Sequence, residues 1–329
     1  MFDFQRAWDV LVICLPVFGV VGVGKLLQHA GLFNEDRRQF ANWLVYRIAL
    51  PILVFRGVAR QRFASFWNPS LVLTPLVAIA LVAVLYIVLA RLLRYRRGMA
   101  AAFVFGTFWA NVTYIGFPLS QSAFGDEGLA LAAIYNAFVM PGFIALGFLL
   151  IGAYGAMPGG SRASRLRHIL LNPVIIGAVL GVVFSLLAEG WRADDGGLAL
   201  PVALAGGVRL VDAFLKLMGE MGLPLALLTI GGSLHLGGVV HHRQALAMVV
   251  LAKLVLLPGA LYLLFRWWLP GAAPAVRGIC VLLTATPNAV ASYVISREIG
   301  VEEGFVAAML VVSTALGVIT IPVWLYILL

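Results

Sequence analysis

Two apolar stretches of the chain each carry a proline surrounded by short polar side chains. The first contains Asn111, Thr113, Tyr114, Gly116 and Pro118, and the second contains Thr286, Pro287 and Asn288. Proline removes a backbone donor and clashes with the preceding turn, so carbonyl and N–H groups are freed near each break. At 1.5 Å per residue from the start of each stretch, both breaks fall roughly 18 to 20 Å into an apolar layer.

Such breaks predict a binding site, because the amino ends of restarted helices attract anions. Thr286 and Pro287 fit the N-cap and first-turn positions of a restarted helix. Asn111, Thr113 and Asn288 would add hydrogen bonds to a ligand. The alternative is a purely structural kink at each proline. Two polar breaks at corresponding depths favour a substrate site.

Charged residues inside the apolar stretches are further candidates, because a charge in hydrocarbon is costly. Lys253 lies near the middle of its stretch, where it would either contact a substrate carboxylate or serve a structural role. Arg47 and Glu220 each precede a proline by four residues, which predicts an ion pair or a gate. Lys216 and Glu220 are also four apart, which suits a local ion pair on a helix. No stretch contains the adjacent central acidic residues expected of a Na⁺/H⁺ exchanger.

The elements that position these residues follow from composition. The chain of 329 residues is 62% hydrophobic and only 11% charged, which indicates an all-α polytopic membrane protein. Apolar runs of about twenty residues suit helices that span the ~30 Å hydrocarbon core. Ten such segments are predicted, at 7–29, 38–59, 69–93, 98–123, 128–153, 172–189, 204–235, 243–267, 274–297 and 302–328.

The segments divide into two groups of five. Residues 1–153 form the first predicted repeat, 154–171 a Gly-, Ser- and Arg-rich cytoplasmic linker, and 172–329 the second repeat. Leu50-Pro51 in the second segment matches Leu223-Pro224 in the seventh. An odd number of helices per repeat requires the two repeats to have opposite orientations.

Charge sets the expected orientation. Arginine is more frequent in the loops after the odd-numbered segments, above all between Arg91 and Arg97. The positive-inside rule therefore predicts an inner-membrane protein with both termini in the periplasm. The same short basic loops account for the net charge of +9 without nucleic acid. The sequence shows no metal motif, disulfide framework, cofactor motif or catalytic triad, so we expect neither an enzyme nor a cofactor.

Several motifs resemble the Auxin Efflux Carrier family. They are Asn111–Pro118, Ala123–Gly128, Leu171–Gly177, Leu223–Gly231 and Ala252–Pro258. The resemblance extends over nearly the whole chain and is most specific at the fourth, sixth and ninth segments. It implies a bacterial member with a ten-helix fold like that of bile-acid symporters and sodium/proton antiporters. The first, second, sixth and seventh helices would form a scaffold, and the third, fourth, fifth, eighth, ninth and tenth a transport domain.

The resemblance also implies that the broken helices cross at Pro118 and Pro287, with Asn111 beside the substrate. Bacterial members carry malate, malonate or similar carboxylates, and plant PIN members export auxin through a protein with a long central loop. The short segment 154–171 does not carry that loop's regulation.

The expected function is alternating-access transport of a small organic anion, with dimerisation through the scaffold helices. The alternatives are a Na⁺-coupled symporter of larger amphipathic acids and a membrane-embedded sensor.

Overall fold

A computed structural model of the chain describes residues 4–60, 69–153, 171, 173–188, 202–233, 242–289, 292 and 302–329. Within these ranges the protein is helical and contains no β-strand. The helices are α1 Phe4–His29, α2 Glu35–Ala59, α3 Pro69–Leu92, α4 Arg97–Phe105, α5 Phe117–Ala153, α6 Pro173–Leu187, α7 Val202–Glu220, α8 Gly222–Ser233, α9 Arg243–Trp268, α10 Pro274–Ala285 and α11 Glu303–Leu328.

Six helical runs in the described part of the chain are long and apolar enough to cross a membrane. They are α1, α2, α3, the run Gly206–Ser233 through α7 and α8, α9, and Gly304–Leu328 within α11. The prediction of an all-helical protein with several membrane spans is therefore confirmed.

Three of the predicted spans differ from continuous helices. Helices α4 and α10 are short, with 9 and 12 residues, because both stop inside the protein. Helix α5 is one long run that turns at Gly125, where φ is 65° and ψ is −155°. Only glycine adopts this conformation readily, and the turn falls between the predicted fourth and fifth segments. The predicted linker 154–171 lies outside the described residues except for Leu171.

Single π turns lie within α2, within α9 and directly before α5, and each π turn ends two residues before a proline. The π turns are Val45–Ala49, Val112–Gly116 and Ala252–Leu256, which precede Pro51, Pro118 and Pro258. A proline ring clashes with the carbonyl four residues earlier and offers it no donor, so the local turn widens. At Pro258 that carbonyl belongs to Leu254, and it accepts a hydrogen bond of 2.8 Å from Trp324 Nε1.

Glycines allow two helix pairs to pack with their backbones in contact. A Cβ atom added at Gly231 of α8 would lie 1.9 Å from the carbonyl oxygen of Val21 in α1. A Cβ atom at Gly177 of α6 would lie 2.4 Å from the carbonyl oxygen of Pro51 in α2. The most extensive helix contacts are those of α1 with α8 and of the second half of α2 with α6. Close backbone approach of this kind stabilises helix pairs in membranes.

The broken helices contribute to two buried apolar clusters. The larger combines side chains of α2 to α6 and of α8 to α11. The smaller joins α1 and α8 to the start of α5, to Leu282 of α10 and to Ile321 and Leu325 of α11. The short helices α4 and α10 therefore end inside an apolar core, where their terminal backbone groups require partners within the protein.

Candidate functional site: the crossing of two broken helices

The two chain breaks meet inside the protein. After α4 ends at Phe105, residues 106–111 are not helical, and after α10 ends at Ala285 the chain is extended through Pro287 to Ala289. Ala110 and Asn288 form an isolated antiparallel bridge, and Asn111 N donates a hydrogen bond of 2.8 Å to the carbonyl of Pro287. We call residues 106–111 and 286–289 the crossing.

The first break lies before the proline at which it was expected. Pro118 is buried inside the helical run that begins at Val112, and the π turn Val112–Gly116 absorbs its clash. The contact with Pro287 is made by Asn111 instead, seven positions earlier in the sequence. The restarted helix of the first repeat therefore begins at Val112 and not after Pro118.

Asn288 connects the two breaks. Its Nδ2 donates hydrogen bonds to the carbonyl oxygens of Gly106, at 2.7 Å, and Trp109, at 3.3 Å. Its backbone N–H donates to Ser313 Oγ of α11 at 3.1 Å. Because both amide protons are directed at carbonyls, Asn288 has none left for a substrate anion. Asn288 thus braces the crossing through its amide nitrogen, and only its side-chain oxygen is left for the hydrogen bond to a ligand that the sequence predicted.

Thr286 also has a different role from the N-cap that was predicted. It is the C-cap residue of α10, and its Oγ1 donates to the carbonyl of Leu283 at 2.7 Å. The proline that follows it cannot continue a helix, which places Thr286 at an end and not at a start. The helix start that the sequence predicts after Pro287 lies outside the described residues, apart from Ser292.

Asn111 caps the restarted helix of the first repeat. Its side-chain oxygen accepts a hydrogen bond of 3.3 Å from Tyr114 N, and its carbonyl accepts from Ile115 N and Gly116 N. The N–H groups of Val112 and Thr113 have no acceptor among the described residues. Such free N–H groups at a helix start carry partial positive charge.

The side chains around this helix start are partly accessible. Thr113 and Tyr114 are half-buried, whereas Asn111 and Gly116 are buried. A Cβ atom at Gly116 would lie 2.6 Å from Leu283 Cδ2 and 3.6 Å from Thr286 Cγ2, so a glycine allows the two breaks to approach. The predicted residues Asn111, Gly116, Thr286, Pro287 and Asn288 are therefore brought together, with Thr113 and Tyr114 at the edge.

Lys253 lies fully buried beside the same crossing. The π turn Ala252–Leu256 in α9 carries it, and its Nζ donates a short hydrogen bond to the carbonyl of Thr284 near the end of α10. It forms no ion pair with any residue in the described ranges. Lys253 thus contacts the carboxyl end of a half-helix and not the helix start at Val112.

Arg47 and Glu220 are not brought together as an ion pair. Both are exposed, and Glu220 lies 3.8 Å from Lys216 of its own helix, the local pair that the spacing predicted. Helices α2 and α7 are joined instead by Arg56, whose guanidinium makes two hydrogen bonds of 2.8 and 3.2 Å to Asp212.

Sequence reasoning missed three residues of the crossing. Gly106 and Trp109 supply the carbonyls that Asn288 binds, and Ser313 accepts its backbone N–H. Trp109 Nε1 and Asn288 Oδ1 are buried and have no hydrogen-bond partner among the described residues. The adjacent polar pair Ser313-Thr314 in an otherwise apolar helix was a usable signal for α11. Backbone carbonyls leave no such signal.

Few other reactive groups are available. Cys14 and Cys280 are free and buried. No group of three or more His, Cys, Asp or Glu side chains suited to a metal occurs in the described part of the chain.

Apolar spanning helices together with two polar breaks that meet inside the core define a membrane transporter of the broken-helix type. The chain matches the family described as "Membrane transport protein" over residues 9–155 and 161–325. It therefore belongs to that family, and the resemblance to auxin efflux carriers is confirmed.

The chain is similar over nearly its full length to several curated transporters. It is 25% identical over 322 residues to an "Uncharacterized transporter" of Methanothermobacter thermautotrophicus, covering 94% of this chain and 95% of the relative. It is 26% identical over 332 residues to a "Putative malonate transporter" of Rhizobium meliloti, covering 97% and 95%. It is also 25% identical over 329 residues to the "Uncharacterized transporter YfdV" of Escherichia coli, covering 95% and 96%.

Proposed function

We propose that this protein is a secondary transporter that moves a small organic anion, such as malonate or malate, across the inner membrane by alternating access. The observation that carries the proposal is the uncompensated helix start at the crossing. Asn111 positions the N–H groups of Val112 and Thr113, which have no acceptor among the described residues. A carboxylate bound there would accept both hydrogen bonds and would lie at the positive end of the helix dipole.

The remaining donors at the crossing support an anion over a cation. Neither the amide nitrogen of Asn111 nor Trp109 Nε1 donates a hydrogen bond to a described residue. No acidic side chain is among the described residues of the crossing. The name of the Rhizobium meliloti relative is consistent with a dicarboxylate as the substrate.

The packing supports a division into a scaffold and a transport domain. The proposed scaffold comprises α1, α2, α6, α7 and α8, whose glycine-mediated contacts hold the backbones close together. The proposed transport domain comprises α3, α4, α5, α9, α10 and α11, which surround the crossing. The smaller apolar cluster, with no buried charge, lies between α1 and α8 on one side and α5, α10 and α11 on the other. An apolar contact surface of this kind can slide without breaking ion pairs.

We further propose ten spans in two inverted repeats, 1–153 and 172–329, with both termini in the periplasm and no catalytic activity. Arg47, Lys216 and Glu220 are exposed on scaffold helices, within or near the middle of their spans. Because exposed charges are costly against lipid, these positions support a homodimer contact through the scaffold.

The test is a thermal-shift measurement on purified protein with malonate, malate and indole-3-acetate. A ligand at a hundred-fold excess over its Kd stabilises the native state by about 2.7 kcal/mol, and the Tm rises accordingly. We expect a carboxylate to raise the Tm of the wild type and to have no effect on Asn111→Ala.

Asn111→Asp is the matched control, because a carboxylate can still accept the hydrogen bond of Tyr114 N but cannot donate to an anion. If Asn111 only capped the helix and the anion bound elsewhere, this variant would bind like the wild type, because its added negative charge would be far from the anion. We expect it to bind no better than Asn111→Ala. The absence of a shift with every carboxylate in the wild type, together with no carboxylate flux into liposomes, would contradict the proposed function.

A further inference from the structure

The carboxyl ends of the two half-helices are stabilised by different kinds of group. Near the end of α4, the carbonyls of Gly106 and Trp109 accept hydrogen bonds from the neutral amide of Asn288. Near the end of α10, the carbonyl of Thr284 accepts a hydrogen bond from the ammonium of Lys253. The last carbonyls of a helix have no partner within the helix and carry partial negative charge, so each end requires a donor or a cation.

Lys253 is buried and hydrogen-bonded in the way expected of a bound cation. Its side chain is fully buried, and the Thr284 carbonyl is the partner of its Nζ among the described residues. It forms no hydrogen bond with Asn111, Thr113 or Tyr114, which line the helix start. A buried ammonium is tolerated only where oxygen ligands and negative potential compensate it. The carbonyl end of α10 supplies both.

We infer that Lys253 is a tethered cation that occupies the place where a cation-coupled carrier would bind a free monovalent cation. This inference rests on the proposed function, because Lys253 lies beside the crossing that would hold the anion. In its protonated form Lys253 donates to the Thr284 carbonyl at the end of α10 and repels a second cation. The inference therefore predicts that the anion site is complete without Na⁺ and that transport does not depend on Na⁺.

The test measures the Tm of purified full-length protein in NaCl, LiCl or KCl against choline chloride at constant ionic strength, without any carboxylate. We expect the wild type and Lys253→Arg to have the same Tm in all four salts. Lys253→Ala removes the charge and opens space beside the Thr284 carbonyl. We expect its Tm to be lower in choline and to rise by about 2 °C or more in at least one of the small cations.

A second variant and a transport readout separate this role from simple packing. Lys253→Met keeps most of the side-chain volume but not the charge, so it tests the charge if Lys253→Ala does not fold. Uptake of the carboxylate identified by thermal shift is then compared in Na⁺ and choline. We expect cation-independent uptake by the wild type and Lys253→Arg, and uptake by the neutral variants that a small cation restores at least several-fold.

Two results would overturn the inference. The first is a wild type whose Tm or uptake depends on Na⁺, because a free cation would then be bound beside Lys253. The second is a set of neutral variants that no small cation stabilises or restores. If the proposed function is wrong, the wild type responds to no carboxylate. The Tm measurements in the four salts contain no carboxylate, so they test the inference about Lys253 separately.

Discussion

Replacing Asn288 with alanine tests whether this side chain holds the two broken helices together. The substitution removes the donors to the carbonyls of Gly106 and Trp109, and both carbonyls remain in the protein interior. A buried carbonyl left without a donor costs about 1 to 3 kcal/mol, whereas side-chain hydrogen bonds in membrane proteins average about 0.6 kcal/mol. For two bonds we therefore expect a loss of about 1 to 6 kcal/mol in the free energy of unfolding.

The assay is equilibrium unfolding in mixed micelles, followed by tryptophan fluorescence. Asn136→Ala is the matched control, because Asn136 is also an amide with only 3% exposure but forms no hydrogen bond with a described residue. We expect Asn136→Ala to destabilise the protein less than Asn288→Ala, because it removes buried volume but no hydrogen bond to a described residue. Equal stability of the two variants would refute the assignment of Asn288 as the brace.

Two further predictions concern the scaffold. Gly231→Ala should lower the Tm and the yield of monodisperse protein, because its Cβ would lie 1.9 Å from a carbonyl oxygen of α1. The control Gly22→Ala should lower neither, because no atom lies within 4 Å of its added Cβ. Equal Tm values for the two variants would show that α1 and α8 are not in close contact. Arg56→Ala should destabilise the protein by about 1 to 3 kcal/mol in unfolding assays, because it removes two charge-assisted hydrogen bonds to Asp212. Lys216→Ala, which removes an exposed pair at 3.8 Å, should have almost no effect, and a similar loss in both variants would contradict this ranking.

The residues at the two breaks could be predicted from sequence, because asparagine, threonine and proline are conspicuous in apolar segments. Asn111 and Pro287 were identified in this way, and a hydrogen bond joins their backbones. The role of each residue could not be predicted, because it depends on partners distant in sequence. Asn288 binds a carbonyl 182 positions away, and no local pattern encodes that contact.

The expectation for Arg47 and Glu220 shows a second limit. Their equal spacing from Pro51 and Pro224 describes a similarity between repeats, but equivalence between repeats does not imply contact. Both side chains point away from the core, and Glu220 pairs with Lys216 within its own helix. The direction in which a side chain faces depends on how the helices pack. Glycines at the helix contacts determine that packing, and sequence periodicity alone does not specify it.

The two breaks meet at one backbone bridge, but the groups that bind their carboxyl ends differ in charge. This difference affects which substrate the crossing favours. If both carboxyl ends were held by neutral amides, the crossing would carry no net charge from its side chains. With Lys253 at one end and no acidic side chain among the described residues of the crossing, the region carries a positive charge. The field of that charge adds to the free N–H groups at Val112 and Thr113, and both favour an anion. A cation would face repulsion from Lys253 and would find no carboxylate ligand at the described part of the crossing. If Lys253 acts as inferred, the charge that replaces sodium also favours an anionic substrate.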